Sequence, residues 1–246
     1  MQKIKLRDER LFYAQKSVEN GWSRSVLTHQ IESGLFQRQG NAITNLHETL
    51  PAPQSDLIQG ILKDPYIFDF LGLSEEISER ELQKSLVDHL KDFLLELGRG
   101  FAFVGEYYPL VVGDQDYELD LLFYHTKQHC YVVIELKIDD FKPEYAGKLN
   151  FYLSAVDAQE RDPDRDGPTI GILLCNKHNN IVAEYSLRGM TKPMCVSEYY
   201  LKGLPTEDEL VREVNRAVVE LKLTATSASS CRGTIETTQK KDNENE

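Results

Sequence analysis

Apolar residues recur at helical spacing near the N-terminus, gather into alternating and continuous runs in the middle, and almost vanish from the last two dozen positions. Residues 1–73 predict helices with breaks. DERLFYAQKSVENG reads as a helix ending at Gly21, and WSRSVLTHQIESGLF as a second with Ser23 as N-cap. Val26, Leu27, Ile31 and Leu35 lie near helical spacing. LPAPQSD is a breaker, and Pro65 and Gly72 punctuate the remainder of the segment. The segment is short for a core of its own and is read as a helical N-terminal segment, the remnant of a larger N-terminal domain.

Residues 74–222 carry the stronger pattern. SERELQKSLVDHLKDFLLELG sets Leu82, Leu86, Leu90, Phe93, Leu94 and Leu97 on one stripe, with Gly98 ending the helix. Three strands come next: FAFVGEYYPLVV (101–112), YELDLLFYH (117–125) and YVVIELKI (131–138). The turns GDQD and TKQH between them predict two antiparallel hairpins. EYAGKLNFYLSAVDAQ is a helix, TIGILLCN (169–176) a buried strand, 181–188 a short helix and MCVSEYYL (194–201) a last strand. TEDELVREVNRAVVELK closes the order with a helix capped by Thr206. The order α-β-β-β-α-β-α-β-α predicts an α/β fold with a mixed central sheet flanked by helices. Residues 223–246, polar with a single Ile, are expected to be disordered.

Composition narrows the class. With 41% hydrophobic and 28% charged residues, the chain is ordinary for a globular protein. No apolar run is long enough for a membrane span. The charged start MQKIKLRDER lacks the apolar stretch of a secretory signal. Cys130, Cys175, Cys195 and Cys231 form no CxxC pair, which argues against a zinc ribbon and for a reducing, cytoplasmic setting. A net charge of −12, most of it between residues 79 and 222, argues against a protein that coats nucleic acid through a broad basic surface. It does not exclude a site-limited nuclease.

Two ionic residues in YVVIELKI carry the candidate chemistry. Glu135 and Lys137 are two apart on a strand and point to one face, with Tyr131 and Val133. Asp120 sits between Leu119 and Leu121 on the preceding strand. If Asp120 and Glu135 share a face, a hard cation explains two carboxylates in an apolar setting. Mg²⁺ there would activate water, and Lys137 would orient that water or stabilise developing phosphorane charge. E-x-K alone is a weak pattern, and such pairs are commonly solvated or simple salt bridges.

The spacing D-(x14)-E-x-K across neighbouring strands, between two helices, is similar to the PD-(D/E)XK nuclease superfamily. More closely, ELQKSLVDHLKDFLLELGRGFAFVGEYY, YELDLLFYHTKQHCYVVIELKIDDFKPEYAGKLNFYL and TIGILLCNKHNNIVAEYSLRGMTKPMCVSEYYL resemble the YhcG-type family of bacterial nucleases over residues 79–202. WSRSVLTHQI resembles the end of that family's helical N-terminal domain. The resemblance implies a restriction-endonuclease-like αβββαβ core. It assigns Asp120 and Glu135 as metal-binding acids, Lys137 as the catalytic lysine and the Leu136 backbone carbonyl as a further metal ligand. It gives Glu81 as a helix carboxylate on the metal, although Ser78-Glu79-Arg80-Glu81 is also a capping box. Lys148 and Tyr152 resemble a Q-x-x-x-Y substrate-binding motif in which Lys replaces Gln. The Lys can meet a phosphate but cannot accept a hydrogen bond.

Other residues are weaker candidates. Asp139, Asp140 and Asp157 read as solvated, and His178-Asn179-Asn180 as a turn. Lys142, Lys148, Lys177, Arg188 and Lys192 are candidates for a basic rim. The expected function is a Mg²⁺-dependent nuclease (Mn²⁺ as substitute), a DNA endonuclease that could dimerise. The alternative is an inactive nuclease-like module that binds nucleic acid or protein.

Overall fold

The computed structural model describes residue 4 and residues 6–73 and 77–202. The expected helix over 206–222 and the tail 223–246 lie outside the described residues.

The N-terminal helices form where capping predicts. Helix α1 (Arg7–Asn20) ends on Gly21, whose left-handed φ of 63° lets its N–H reach back to Ser17. Helix α2 (Arg24–Glu32) starts on Ser23, whose hydroxyl accepts from the Val26 N–H. A short α3 (Leu35–Arg38) comes after it. The next residues correct the all-helical reading of this segment. They comprise β1 (Ile43–Thr44), α4 (Leu46–Thr49), α5 (Gln54–Gln59, starting within the expected breaker) and β2 (Tyr66–Ile67).

The middle of the chain keeps the expected order: α6 (Glu79–Asp88), α7 (Leu90–Leu97), β3 (Phe101–Val112), β4 (Gln115–His125) and β5 (Cys130–Leu136). Then come α8 (Pro143–Gln159), β6 (Ile170–Cys175), α9 (Asn180–Leu187) and β7 (Met194–Tyr200). One helix was expected where α6 and α7 stand. It breaks at His89 (φ −108°, ψ 34°), and the second half keeps Phe93 and Leu97 buried while leaving Leu95 exposed.

Among the described residues the sheet order is β1-β7-β6-β5-β4-β3, with β2 also on β7. The pairs β3–β4 and β4–β5 are antiparallel, and β5–β6 and β6–β7 are parallel, joined by α8 and α9 as crossovers. Parallel strands need cover on both faces, and β6 is buried along its whole length. On one face α8 and α9 enclose Leu122, Val133, Leu149, Leu153 and Leu173. On the other, α6 and α7 enclose Leu82, Leu86, Phe93, Phe123 and Ile134.

That second core also holds Leu46, Ile58, Leu62, Tyr66 and Phe68, so packing runs without a gap across residue 73. β1 and β2 cover the outer edge of β7 at different heights, which removes an open edge. Two polar clusters add ties. Buried Glu96 of α7 accepts from Arg38 (2.6 Å), Lys63 (3.2 Å) and the Ile67 N–H (2.9 Å). Asp64 accepts from the Glu198 N–H (2.8 Å) and meets His178 Nε2 at 2.9 Å.

Candidate active site

The β4–β5 ladder runs from His125↔Cys130 to Leu121↔Ile134 and stops. Continued in register, the next pair is Asp120 opposite Glu135. The strands part at that point, which would strand backbone donors and acceptors at a cost of about 1–3 kcal/mol each. Side chains take over the ladder's role. The Leu136 N–H donates to Asp120 Oδ2 at 2.8 Å, and the Asp120 N–H points to Glu135 Oε1 at 3.4 Å. Gln83 Nε2 of α6 donates to the Asp120 carbonyl at 2.6 Å.

The β3–β4 ladder also passes over Asp120, from Glu106↔Leu121 to Tyr108↔Leu119, beyond a bulge at Phe103–Gly105. Opposite Asp120, Tyr107 has a left-handed φ of 45°, rare for a bulky residue. Leu119 packs on the α8 side and Leu121, two residues on, on the α6 side, so β4 changes face at Asp120. Bulges of this kind re-aim side chains at strand ends.

The carboxylates sit among lysines. Glu135 is 1% exposed, and its Oε2 pairs with Lys148 Nζ of α8 at 3.1 Å. Lys137, one residue past β5, stays in line because its N–H donates to the Leu174 carbonyl. Its Nζ meets Glu79 Oε2 at 2.9 Å and the Leu136 carbonyl at 2.6 Å. Burial, and then the charge of Asp120, push the Glu135 carboxyl up to about 7 against the pull of Lys148. Burial raises Asp120 as well, opposed by the Leu136 N–H.

The structure thus brings Asp120, Glu135, the Leu136 carbonyl, Lys137 and Lys148 together. Tyr152 is largely buried in the α8 core beside Lys148, whose Nζ stands 5.0 Å from its ring centre, and its hydroxyl feels the charges of Glu135, Lys148 and Asp120. Glu81 does not join the group. Its Oε2 accepts from the Ser78 N–H (2.9 Å) and hydroxyl (2.8 Å), completing the capping box on the exposed surface.

The helix carboxylate that reaches the site is Glu79, which sequence reasoning missed. Both acids lie in the first turn of α6, and only the sheet's position decides which one faces Lys137. Asp157 is not solvated: it is nearly enclosed, pairs with Lys192 (2.5 Å) and accepts the Thr169 N–H (2.9 Å). Lys192 precedes β7 and pairs far down α8, so it lies at the opposite end of the parallel strands from Lys148 and is not part of a common rim.

Among the described residues no three His, Cys, Asp or Glu side chains gather closely enough to hold a metal by themselves. The donors available are two carboxylates and one backbone carbonyl. That set fits Mg²⁺, which takes one or two carboxylates and keeps several waters. Two adjacent buried acids held above their ordinary range are an arrangement that a divalent cation would relieve.

Residues 59–215 match the family model described as the YhcG PDDEXK nuclease domain. The chain belongs to this family. It is also 36% identical over 224 residues to a protein of Escherichia coli (strain K12) named "Putative nuclease YhcG", covering 88% of this chain and 59% of that protein. The chain therefore spans about three-fifths of that relative's length. Among solved structures, a repair endonuclease from Pyrococcus abyssi aligns with a TM-score of 0.36 at 15% identity, over 54% of this chain and 50% of its own. EndoMS in apo form aligns with 0.33 at 16% identity, over 54% and 49%.

Proposed function

We propose that this chain is a Mg²⁺-dependent nuclease that hydrolyses phosphodiester bonds, acting as a DNA endonuclease in the cytoplasm. One observation carries the reading: Asp120 and Glu135 meet where the β4–β5 ladder ends, with the Leu136 carbonyl and two lysines beside them. Family membership supports it.

Asp120, Glu135 and the Leu136 carbonyl would hold the ion. Bound there, a divalent cation polarises a phosphoryl oxygen and makes water a better nucleophile. Lys137 is held by Glu79 and by its backbone bond to β6, beside the carbonyl of Leu136, where its ammonium would meet the reacting phosphate. It orients the attacking water and stabilises the charge that develops on the phosphoryl oxygens. Lys148 contributes a half-exposed cation to the substrate backbone. Residues 1–73 contribute substrate choice, and cleavage of both strands of a duplex draws on two copies of the chain.

Cleavage assays with supercoiled plasmid, linear duplex, branched DNA, single strands and RNA test this, each with Mg²⁺, Mn²⁺ or EDTA. Divalent-dependent cutting of DNA, lost in Asp120→Asn and Lys137→Ala, is the expected result. Cutting of RNA alone would replace DNA as the substrate. Absence of cutting on every substrate, with nucleic-acid binding intact, would leave the binding-module reading in its place.

A further inference from the structure

The two lysines of the site differ in how firmly they are held. Lys137 Nζ has two partners, Glu79 and the Leu136 carbonyl, and its side chain is 9% exposed. Lys148 Nζ pairs with Glu135 at 3.1 Å and interacts with the Tyr152 side chain, but its own side chain is 45% exposed. Its ammonium stands 5.0 Å from the centre of the Tyr152 ring, and nearly half of the side chain is open to water. Glu135, by contrast, is enclosed and cannot turn to water. A buried carboxylate needs a cation, and the one on it is also the one free to leave.

The charges lead to the same point. With all three acids ionised, Asp120, Glu135 and Glu79 face Lys137 and Lys148 with one negative charge in excess. A divalent cation would turn that into one positive charge in excess, matched to a single phosphodiester. An ammonium still bound to Glu135 would stand within a few ångströms of that cation, where like charges repel strongly in a partly buried setting.

We propose that Lys148 is a stand-in cation: it neutralises Glu135 while no metal is bound, is displaced from that carboxylate by the divalent ion, and then pairs with a substrate phosphate. This rests on the metal-dependent reading above and adds an order to it. Metal and nucleic acid favour each other's binding through one side chain, because the ion releases the cation that the phosphate takes up. The coupling is reciprocal. A Gln at this position would neither neutralise Glu135 nor be released as a charge.

The test is Mn²⁺ binding to the full chain by calorimetry, without nucleic acid. Lys148→Met removes the competitor and should tighten Mn²⁺ binding by about tenfold. Lys148→Arg keeps a cation and should bind Mn²⁺ as weakly as the native chain. Lys142→Met removes a nearby cation that pairs with Asp139 instead, and should change affinity by less than about twofold. In EDTA, Lys148→Met should melt below the native chain, because Glu135 loses its partner. Mn²⁺ binding that is unchanged or weaker in Lys148→Met overturns the stand-in role and leaves the nuclease reading intact. Equal tightening in Lys142→Met also overturns it, since that is a general charge effect. Failure of the native chain and Lys148→Met to bind Mn²⁺ at all overturns both readings.

Discussion

Glu135→Gln should make the metal-free protein more stable while abolishing cleavage. The side chain keeps its shape, and its carbonyl can still face the Asp120 N–H. The substitution removes a buried charge beside Asp120. The Glu135 carboxyl stands at about 7 against an ordinary 4.5, so ionising it in the folded protein costs about 3 kcal/mol. Proton counts set the sign. Below pH 4.5 the folded and unfolded chains both hold the proton, and the substitution is neutral. Between 4.5 and about 7 only the folded chain holds it, so native stability falls as pH rises. Above about 7 the loss is complete. The variant lacks this slope. Urea unfolding in EDTA should therefore give the variant an advantage of up to about 3 kcal/mol at pH 8, shrinking to under about 1 kcal/mol near pH 5. The melting temperature should rise by about 5 °C or more at pH 8. Lys148 loses its partner but is half exposed, so water takes most of that cost. Adding Mn²⁺ should reverse the ranking, since the native chain alone gains by binding. A variant no more stable than the native chain at pH 8, or one with the same advantage at pH 5 and pH 8, would refute the argument that Glu135 stores unfavourable charge.

Particular contacts give three further expected outcomes. Glu96→Gln leaves buried Arg38 and Lys63 without a carboxylate, and should cost about 3–5 kcal/mol in urea unfolding; a loss under about 1 kcal/mol would contradict the network. Gly171→Ala puts a Cβ 2.7 Å from Leu149 Cδ2, and should cost about 1–3 kcal/mol by pushing α8 off the sheet, read in the same assay. Glu79→Gln should slow Mg²⁺-dependent cleavage by about tenfold by loosening Lys137, whereas Glu81→Gln should leave the rate within about twofold, because Gln can still complete the capping box. Equal effects of the two on rate would show that Glu79 does not position Lys137.

The core of the fold was legible because its strands are long apolar runs with turns of clear chemistry. β6 is covered on both faces, and Gly113 comes directly after β3 with a φ of 67°, opening the two-residue turn to β4. Caps at Ser23, Gly21 and Ser78 set helix ends within a residue. The illegible parts depend on contacts far apart in sequence. Ile43–Thr44 and Tyr66–Ile67 are too short to show alternation, and they are strands only because β7 offers an edge. The break at His89 carries no Gly or Pro and is set by how α7 packs Phe93 against Phe68 and Phe123.

The candidate site divides along the same line. Asp120, Glu135 and Lys137 stand out because ionic residues interrupt apolar strands, a signal that survives without coordinates. Glu79 and Glu81 carry no such contrast in a helix's first turn, where acids are ordinary. Choosing between them needs the side of α6 that meets the end of β5. The deeper regularity is in the backbone. A site of this kind requires two strands to stop pairing inside a buried sheet, and Asp120 and Glu135 supply at that point the acceptors that the ladder withdraws. The same carboxylates are therefore both the repair of the sheet and the proposed metal donors. A divalent ion that recruits them competes with the Leu136 N–H at Asp120 and with Lys148 at Glu135. Of these two the backbone donor is fixed and the lysine is not, which is why Lys148 is the side chain expected to move.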